Sequence, residues 1–588
     1  MRHRAIPTLI LLIIWSGPSL ATPRDGRHDR DGVPICTAVD VQFRPAMVSD
    51  GAAGAIVVWR DYRDLRSPRM LDIYAQHFLA SGAIDPKWPA TGLAICPLPG
   101  NQGFHSVASD GAGGVIIGWS DWRNGQYDGM GDLYAQHVLA TGVVDPAWPV
   151  DGCLVSNATG DQEDPQLVSD GAGGAIVAWS DRRNRGEDIY AQHVLGSGVV
   201  DPKWPAEGRA LCTASGGQDD HRIAEDGAGG AFVVWTDARE DLYDIYAQHV
   251  LASGTVNPAW PLNGLAVCTA REDQGNVSIV TDDQGGAIVS WIDARTGAFP
   301  YYSGYIDIYA QHVLPSGVVD PTWPAEGRAV CDTIADQGPQ AMVSDGSGGA
   351  IIAWVDARSQ RWDIYAHHLL ASGVLDPAWP RQGRALREGF PGATYVPAIT
   401  TDGCGGAIVA WADGRAGSSD IYAQHIRASG TLHPAWPENA QGLCTASGNQ
   451  YDVTIVGNNA GQTIVAWTDY RGDGDIYATR AHTPGGADPP RPARRDALRL
   501  RLATPMSASG GLSVSFDVPS HELVTVEVFD LAGRAIRTLT TREEMSAGTH
   551  NLAWDGADSS GGPVRRGVYL VRVSAGPTSV TGKILVLR

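Results

Sequence analysis

The chain is built on a repeat, and this repeat limits its fold more than any other feature of the sequence. Eight units carry Trp-x-Asp-x-Arg followed by Asp-(Ile/Leu)-Tyr-Ala, with the tryptophan at Trp59, Trp119, Trp179, Trp235, Trp291, Trp354, Trp411 and Trp467. Each unit holds four short β-forming segments separated by Gly, Pro, Asp or Asn, in a length of about sixty residues. The pattern predicts an all-β chain made of repeated four-stranded sheets.

The two ends of the repeat complement each other. The eighth unit stops after its third strand, at Arg480, and lacks the Trp-Pro segment and the last strand. The missing strand occurs ahead of the first unit, where residues 32–36 (G-V-P-I-C) match residues 264–268 (G-L-A-V-C). This arrangement resembles a β-propeller whose N-terminal strand completes the last blade and removes the exposed sheet edge. We therefore expect residues 32–480 to form a closed eight-bladed β-propeller.

The N-terminal segment and the charge indicate an exported protein. Residues 1–21 have the features of a secretory signal peptide, with Arg2 and Arg4 ahead of an apolar stretch and small residues at 19–21. The apolar stretch is too short to cross a membrane, and no other segment approaches that length. The formal net charge of −21 argues against nucleic-acid binding, which depends on Lys and Arg at phosphates. We expect a secreted or cell-surface protein whose ligand is a glycan or another protein.

Residues that recur in every unit are interpreted as framework. The repeated tryptophans are expected to fill the space between twisted sheets, and the following Asp and Arg to bond each other and turn backbone. A second Asp, nine residues before the Trp in seven units, is typical of a tight turn. Equivalent positions on neighbouring blades lie beyond the Cα separation of about 7 Å that a disulfide allows. We therefore expect buried thiols at Cys36, Cys96, Cys212, Cys268, Cys331 and Cys444.

One loop of the repeat offers an alternative to this structural interpretation. Asp469, Asp473 and Asp475 crowd a short segment of the eighth unit. Carboxylate and turn carbonyl oxygens are the ligands that calcium prefers. A calcium ion at these three residues is therefore the alternative prediction, and no other cofactor is expected.

Ligand binding is expected where the units differ, because one binding site does not need eight copies. The connection between the second and third strands is long in the first, second and fifth units. In the fifth unit it carries Phe299, Tyr301, Tyr302 and Tyr305. Exposed aromatic side chains on a loop suit stacking against sugars or a protein partner. The alternative is that this loop folds over its own blade and buries them.

The first strand of the unit also varies. His105 and His221 replace the usual proline, and Arg222 follows the second histidine. These three residues are candidates for lining the central channel and contacting a ligand. The alternative is that the histidines are satisfied structural residues.

Sequence motifs for catalysis are missing. The chain has no G-x-S-x-G elbow, no H-E-x-x-H zinc helix and no phosphate-binding loop. Acidic residues are plentiful, but none stands out from the repeat as the carboxylate pair of a glycosidase. The sequence therefore favours non-catalytic binding or a surface scaffold over an enzyme. The alternative is a secreted glycan-active hydrolase or lyase with its site at the channel mouth.

The C-terminal part of the chain differs in composition and pattern. Residues 481–497 are rich in Pro, Gly and Arg and are predicted to be a linker. Residues 498–588 contain V-F-D-L-A-G-R at 528–534, followed by G-T-H at 548–550 and W-D-G at 554–556. These motifs resemble the Ig-like domain of flagellar hook-capping proteins and the C-terminal sorting domains of type IX secretion. The resemblance implies a small β-sandwich that engages the secretion machinery for export to the cell surface.

Overall fold

The chain is described by a computed structural model that covers residues 31–63, 70–124, 131–184, 186–296, 306–390, 395–457, 462–481, 499–502, 512–518, 522–530, 533–545, 548–575 and 578–586. All regular elements in these ranges are β-strands, which confirms the all-β prediction. In the same ranges, no helix is long and apolar enough to cross a membrane.

Eight antiparallel sheets of four strands follow the eight sequence units. The first strand of the chain is β1 (Val33–Cys36). Sheet 1 contains β2 (Gln42–Ser49), β3 (Ala55–Asp61), β4 (Asp72–Phe78) and β5 (Leu93–Ala94). Sheet 2 contains β6 (Gln102–Ser109), β7 (Val115–Asp121), β8 (Asp132–Val138) and β9 (Cys153–Ser156). Sheet 3 contains β10 (Gln162–Ser169), β11 (Ala175–Asp181), β12 (Asp188–Val194) and β13 (Arg209–Cys212). Sheet 4 contains β14 (Gln218–Glu225), β15 (Ala231–Asp237), β16 (Asp244–Val250) and β17 (Leu265–Cys268).

The remaining sheets repeat this order. Sheet 5 contains β18 (Gln274–Thr281), β19 (Ala287–Asp293), β20 (Asp307–Val313) and β21 (Arg328–Cys331). Sheet 6 contains β22 (Gln337–Ser344), β23 (Ala350–Asp356), β24 (Asp363–Leu369) and β25 (Arg384–Arg387). Sheet 7 contains β26 (Ala398–Thr401), β27 (Ala407–Asp413), β28 (Asp420–Ile426) and β29 (Gln441–Cys444). Sheet 8 contains β30 (Gln450–Gly457), β31 (Thr463–Asp469) and β32 (Asp475–Ala481), and β1 is its fourth strand.

The ends of the repeat meet in sheet 8. Strand β1 pairs antiparallel with β32, with Val33 opposite Ala478 and Cys36 opposite Ile476. The first strands of neighbouring sheets contact each other in series from β2 to β30, and β30 also contacts β2. The N-terminal strand therefore supplies the outer edge of the last sheet, and sheet 8 packs against sheet 1.

The core lies between neighbouring sheets. All eight repeated tryptophans are fully buried, and each packs in a cluster that joins two sheets. Trp235 of sheet 4, for example, lies against Ile176 and Leu211 of sheet 3. Burying a side chain of this size contributes about 3 kcal/mol or more. The tryptophans are framework, as their recurrence predicts.

The Asp and Arg of the repeat hold each tryptophan in place. In sheet 4 the Trp235 indole N–H donates to Asp237 at 2.8 Å, and Arg239 donates to the same carboxylate at 2.6 Å. The Arg239 guanidinium lies 3.7 Å from the ring centre of Tyr246 and also donates to Cys212 Sγ of sheet 3 at 3.4 Å. This network confirms the structural interpretation of the motif. The cysteines are free thiols, and all except Cys404 are buried.

A second network, at the opposite ends of the sheets, was not predicted. In sheet 3, His193 Nε2 bonds Asp170 at 2.9 Å and His193 Nδ1 bonds Asp201 at 3.0 Å. Burial alone would lower the pKa of His193, but the two carboxylates raise it above its ordinary value. The other Oδ of Asp170 accepts backbone N–H groups of the turn. The histidine recurs as His77, His137, His193, His249, His312, His368 and His425.

The C-terminal strands form two antiparallel sheets. One contains β33 (Arg499–Leu502), β34 (Leu512–Val518) and β37 (Gly548–Trp554). The other contains β35 (Glu522–Asp530), β36 (Ala535–Met545), β38 (Gly567–Ala575) and β39 (Thr578–Val586). Phe516 and Trp554 of the first sheet share a buried cluster with Val528 and Val571 of the second. The two sheets therefore enclose one core.

Candidate functional site

The units also differ at the start of the first strand. A β-bulge shifts the register there in seven sheets, as between Asp219 and Arg222 of sheet 4. Bulges re-aim side chains and are frequent beside functional sites. We call the third residue of this segment the bulge position. The end of the sheets where this residue lies is called the mouth. From sheet 1 to sheet 8 the bulge position holds Arg44, Phe104, Asp164, Asp220, Asn276, Pro339, Val396 and Asp452.

Aromatic side chains gather at the mouth in sheets 7, 8, 1 and 2. Tyr395 meets Tyr451 edge-on, with ring centres 5.1 Å apart, and Tyr451 meets Tyr470 at 6.0 Å. Phe43 stacks on Tyr62 at 5.6 Å, and Phe104 packs against Trp122 at 6.1 Å. The aromatic arc is defined as Phe43, Tyr62, Phe104, Trp122, Tyr395, Tyr451 and Tyr470.

A cleft of about 540 Å³ opens between sheets 7 and 8, and Tyr395, Tyr451 and Tyr470 of the arc line it. Tyr395 is 41% exposed and Tyr470 is 39% exposed, so their rings are accessible to a ligand. Asp452 is the one carboxylate among the described lining residues, and it accepts a hydrogen bond from Thr468 Oγ1 at 3.0 Å. Partial burial raises the pKa of Tyr470, so its hydroxyl is uncharged at neutral pH. The cleft is therefore aromatic with a single acidic group.

Sheet 1 places two arginines within the arc. The Arg60 Nε–H group donates to His105 Nδ1 at 3.4 Å, and its guanidinium lies 5.2 Å from the ring centre of Phe104. Burial and the positive charge of Arg44 lower the pKa of Arg60 to about 10. Burial and the charge of Arg60 lower the pKa of His105 to about 3. His105 is therefore a neutral acceptor that orients the Arg60 side chain.

A second, acidic cleft of about 330 Å³ lies at the mouth between sheets 4 and 5. Four aspartates line it. The adjacent pair is already engaged, because Asp219 accepts a hydrogen bond from Thr236 Oγ1 and Asp220 accepts one from the backbone N–H of Val277 at 3.1 Å. Arg222 forms an ion pair with Asp220 at 3.1 Å. Burial, followed by the charges of nearby aspartates, raises the pKa of Asp220.

The structure places the predicted histidines differently. His105 lies in the mouth and contacts Arg60, as described above. His221 is fully buried and its Nε2 lies 3.2 Å from the carbonyl oxygen of Ala178 in sheet 3. This placement corrects the expectation that His221 lines the channel, since a ligand cannot reach it. Arg222 is partly exposed and paired with Asp220.

The predicted calcium residues do not assemble into a site. The Asp469 carboxylate is buried and accepts hydrogen bonds from Arg471 and from the indole of Trp467. Asp475 lies close enough to Asp469 and Asp473 that burial and their charges raise its pKa to about 6. Across the described ranges, no group of three His, Cys, Asp or Glu side chains is arranged to hold a metal ion. The framework role of Asp469 explains this, because its oxygens are directed at the arginine.

The predicted aromatic loop of the fifth unit lies outside the described residues. Phe299, Tyr301, Tyr302 and Tyr305 all fall in the undescribed segment 297–305, so their role stays a prediction. The aromatic arc was not predicted. The signal for it was present in the sequence, because the residue after the repeated Asp is aromatic as Tyr62, Trp122 and Tyr470 and not in the other units.

The C-terminal sheets carry the one family assignment. Residues 503–579 match the FlgD Ig-like domain. The match confirms the resemblance of the motifs at 528–534 and 548–556 to the Ig-like domain of flagellar hook-capping proteins. The FlgD-like segment covers a minor part of the chain, so it says nothing about the mouth. No curated protein is similar enough to match this chain.

Solved structures with a similar arrangement of strands are distant. The Hadza microbial sialidase Hz136 is 13% identical with a TM-score of 0.31, over 55% of this chain and 66% of that protein. Puromycin hydrolase is 13% identical with a TM-score of 0.34, over 84% of this chain and 62% of that protein. This chain therefore spans less than two thirds of either protein. The polysaccharide lyase Uly1 is 9% identical with a TM-score of 0.38, over 76% of this chain and 98% of that protein.

Proposed function

We propose that the eight sheets form one closed eight-bladed β-propeller whose mouth binds a saccharide without transforming it. Closure is supported by the pairing of β1 with β32 and by the contacts between β30 and β2. A ring of sheets brings the bulge positions of all units around one opening. The mouth then offers a single binding site, although the framework is repeated eight times.

The aromatic arc is the observation that carries the proposal. Sugar rings present C–H faces that pack against aromatic rings, and tyrosine adds a hydroxyl for hydrogen bonding. Tyr395, Tyr470 and Phe104 are each at least 36% exposed, whereas the eight repeated tryptophans are buried. Exposed apolar rings that cluster at the point where the units differ indicate a binding surface.

The carboxylates favour binding over hydrolysis. Glycosidases of the common type need two carboxyl groups, about 5 to 9.5 Å apart, on either side of the scissile bond. Among the described residues, the cleft between sheets 7 and 8 contributes only Asp452, whose carboxylate is bonded to Thr468. The tyrosine-lined cleft therefore suits a ligand that is held and released unchanged.

A secreted glycan-active enzyme, either a hydrolase or a lyase, is the second candidate. It is favoured by the acidic cleft, where the raised pKa of Asp220 is the property that a general acid requires. Against it, Asp219 and Asp220 already bond protein groups. An enzyme at this site would lose turnover on Asp220→Asn, whereas a binding protein would show no turnover to lose.

Binding of the full chain to an array of oligosaccharides, with a turnover screen on the same ligands, tests the proposal. We expect at least one saccharide to bind and to be recovered intact. Tyr470→Ala should abolish its retention, whereas Tyr243→Ala is the matched control, because Tyr243 is 44% exposed and lines the acidic cleft instead. Loss of binding in the control alone, or cleavage of the ligand, would contradict the proposal.

The cellular location of the protein is part of the same proposal. Residues 1–21 would direct export, residues 481–497 would act as a linker, and residues 498–588 would engage the secretion machinery and present the propeller at the surface. The FlgD Ig-like match at 503–579 supports an extracellular or surface role. Cell fractionation with and without residues 498–588 tests this, because the truncated chain is expected to stay inside the cell envelope.

A further inference from the structure

Two arginines occupy the middle of the aromatic arc in a chain whose net charge is −21. Arg44 holds the bulge position of sheet 1, and Arg60 follows Trp59 on β3. The position after the repeated tryptophan is uncharged in every other unit, where it holds Ser120, Ser180, Thr236, Ile292, Val355, Ala412 and Thr468. The two charges therefore belong to one unit and are not part of the repeated framework.

Neither arginine has an ionic partner, unlike other arginines of the mouth. Within the described part of the chain, no carboxylate oxygen lies within 4.0 Å of the Arg44 or Arg60 guanidinium. By contrast, Arg182 of sheet 3 forms an ion pair with Glu187, and Arg222 of sheet 4 is paired with its own bulge-position aspartate at 3.1 Å. Sheet 1 therefore brings two unpaired positive charges together.

Two more distant carboxylates also act on this pair. The charges of Asp164 and Asp452 reach Arg60 and oppose the effects of burial and of Arg44. Burial is the largest cause of the lowered pKa of Arg60, about 10, and the charge of Arg44 is the next. Two like charges held close together at a partly buried site favour an anion between them.

The surroundings hold the Arg60 guanidinium in one orientation. Its Nε–H is taken up by His105 and one face lies over the Phe104 ring. The terminal N–H groups of Arg60 have no hydrogen-bond partner among the residues the structure describes. A planar guanidinium oriented in this way presents two parallel N–H donors, which is the geometry that carboxylate and sulfate oxygens accept.

We propose that Arg44 and Arg60 bind the oxyanion of an acidic saccharide, a carboxylate or a sulfate, while the sugar ring stacks on the aromatic arc. This inference rests on the proposed saccharide-binding function and names the class of ligand. The cleft tyrosines and the arginines are contiguous, because the Arg44 backbone N–H donates to Thr468 Oγ1 at 3.1 Å and Thr468 donates to Asp452. One ligand can therefore reach both.

Calorimetric titration of the full chain with matched pairs of oligosaccharides tests the inference. Each pair consists of a uronate oligomer and its neutral methyl ester, so the rings are the same and only the charge differs. We expect the acid to bind about tenfold or more tightly, the gain typical of hydrogen bonds to charged groups. Arg60→Gln and Arg44→Gln should each remove this preference, so that the variant binds the acid and the ester with similar affinity.

Arg182→Gln is the matched control, because Arg182 lies at the same end of sheet 3 and is already paired with Glu187; it should keep the preference for the acid. Equal affinity for acid and ester in the wild-type protein would overturn the inference and leave saccharide binding standing. Failure of every pair to bind would overturn the saccharide proposal itself. Inorganic sulfate alone is the last arm, and tight sulfate binding with no gain from the sugar would show that the arginines hold a free anion instead.

Discussion

Arg387 tests whether the residue that most units share is always the more stable choice at its position. It occupies the outer-strand position that holds a cysteine in most units, opposite Ile364 just as Cys268 lies opposite Ile245. Judged by the repeat alone, Arg387→Cys would restore the usual residue and leave stability unchanged or improved. The structure predicts the opposite outcome, because the arginine side chain is completely buried and fully bonded.

The cost of Arg387→Cys follows from the contacts it removes. Arg387 donates to Asp413 at 2.9 Å and to Asp363 at 2.6 Å, and to the carbonyl oxygens of Trp362 and Phe390. Removing one partner of a buried ion pair costs about 3–5 kcal/mol. Asp413 keeps its bond to the repeat arginine of its own sheet, so we expect a loss near the lower limit, about 3 kcal/mol.

Equilibrium urea unfolding, followed by the fluorescence of the buried tryptophans, measures this loss. Cys212→Ala is the matched control at the same position of sheet 3, and it should cost about 1 kcal/mol or less because it removes a single small group. An Arg387→Cys protein that unfolds at the same or a higher urea concentration than wild type would refute the reasoning. The ion pair would then be no more stabilising than the cysteine of the other units.

Three further predictions concern the framework. Burial opposes a raised pKa at His368, but its two carboxylates raise the pKa above the ordinary value. Its contribution to the free energy of unfolding is therefore present below the unfolded pKa of about 6.5 and is lost as pH rises through the folded pKa. His368→Gln should destabilise the protein more at about pH 5.5 than at about pH 9, and an equal loss at both would contradict this. Trp235→Phe leaves the buried Asp237 without an indole donor and should cost about 2–4 kcal/mol in urea unfolding, so a loss within error would count against the network. Ile35→Asp puts a charge at a site that is 1% exposed and should release β1 from sheet 8, which faster amide hydrogen exchange on β32 would report and unchanged exchange would disprove.

Recurrence made the framework predictable from the sequence. A residue that appears in every unit, such as Trp179 or Asp181, must serve a contact that every unit makes, and both are buried in the predicted network. The completion of sheet 8 was predictable for the same reason, because a missing strand at one end matched an extra strand at the other. The repeat thus determined strand order and the position of the core.

Contacts between parts of a unit that are far apart in the sequence were harder to predict. The relay from Asp170 through His193 to Asp201 joins a turn, a strand and the segment before the Trp-Pro pair. Each residue alone is explained by its own local role, so spacing gave no reason to bring them together. For His221 the structural alternative holds, because this substituted position of the first strand is buried against sheet 3.

The residues of the mouth could not be predicted together, because their grouping depends on a backbone register that the sequence does not reveal. The bulge in the first strand turns its third residue toward the opening, and six of these residues adopt a positive φ, as Arg44 does at 51°. In the seventh unit Tyr395 lies opposite Ala412, as Phe43 lies opposite Arg60 in the first, and it follows a segment with no repeat markers. Without the register, the aromatic and arginine side chains of the mouth appear as unrelated substitutions in four different units.

The most direct test of the central claim is the position of a bound saccharide in a crystal structure of the complex. We expect a sugar ring in van der Waals contact, about 4 Å, with Tyr470, Tyr395 or Phe104, and its acidic group at Arg44 and Arg60. A saccharide seated instead in the acidic cleft beside Asp219 and Asp220, or outside the mouth altogether, would contradict it.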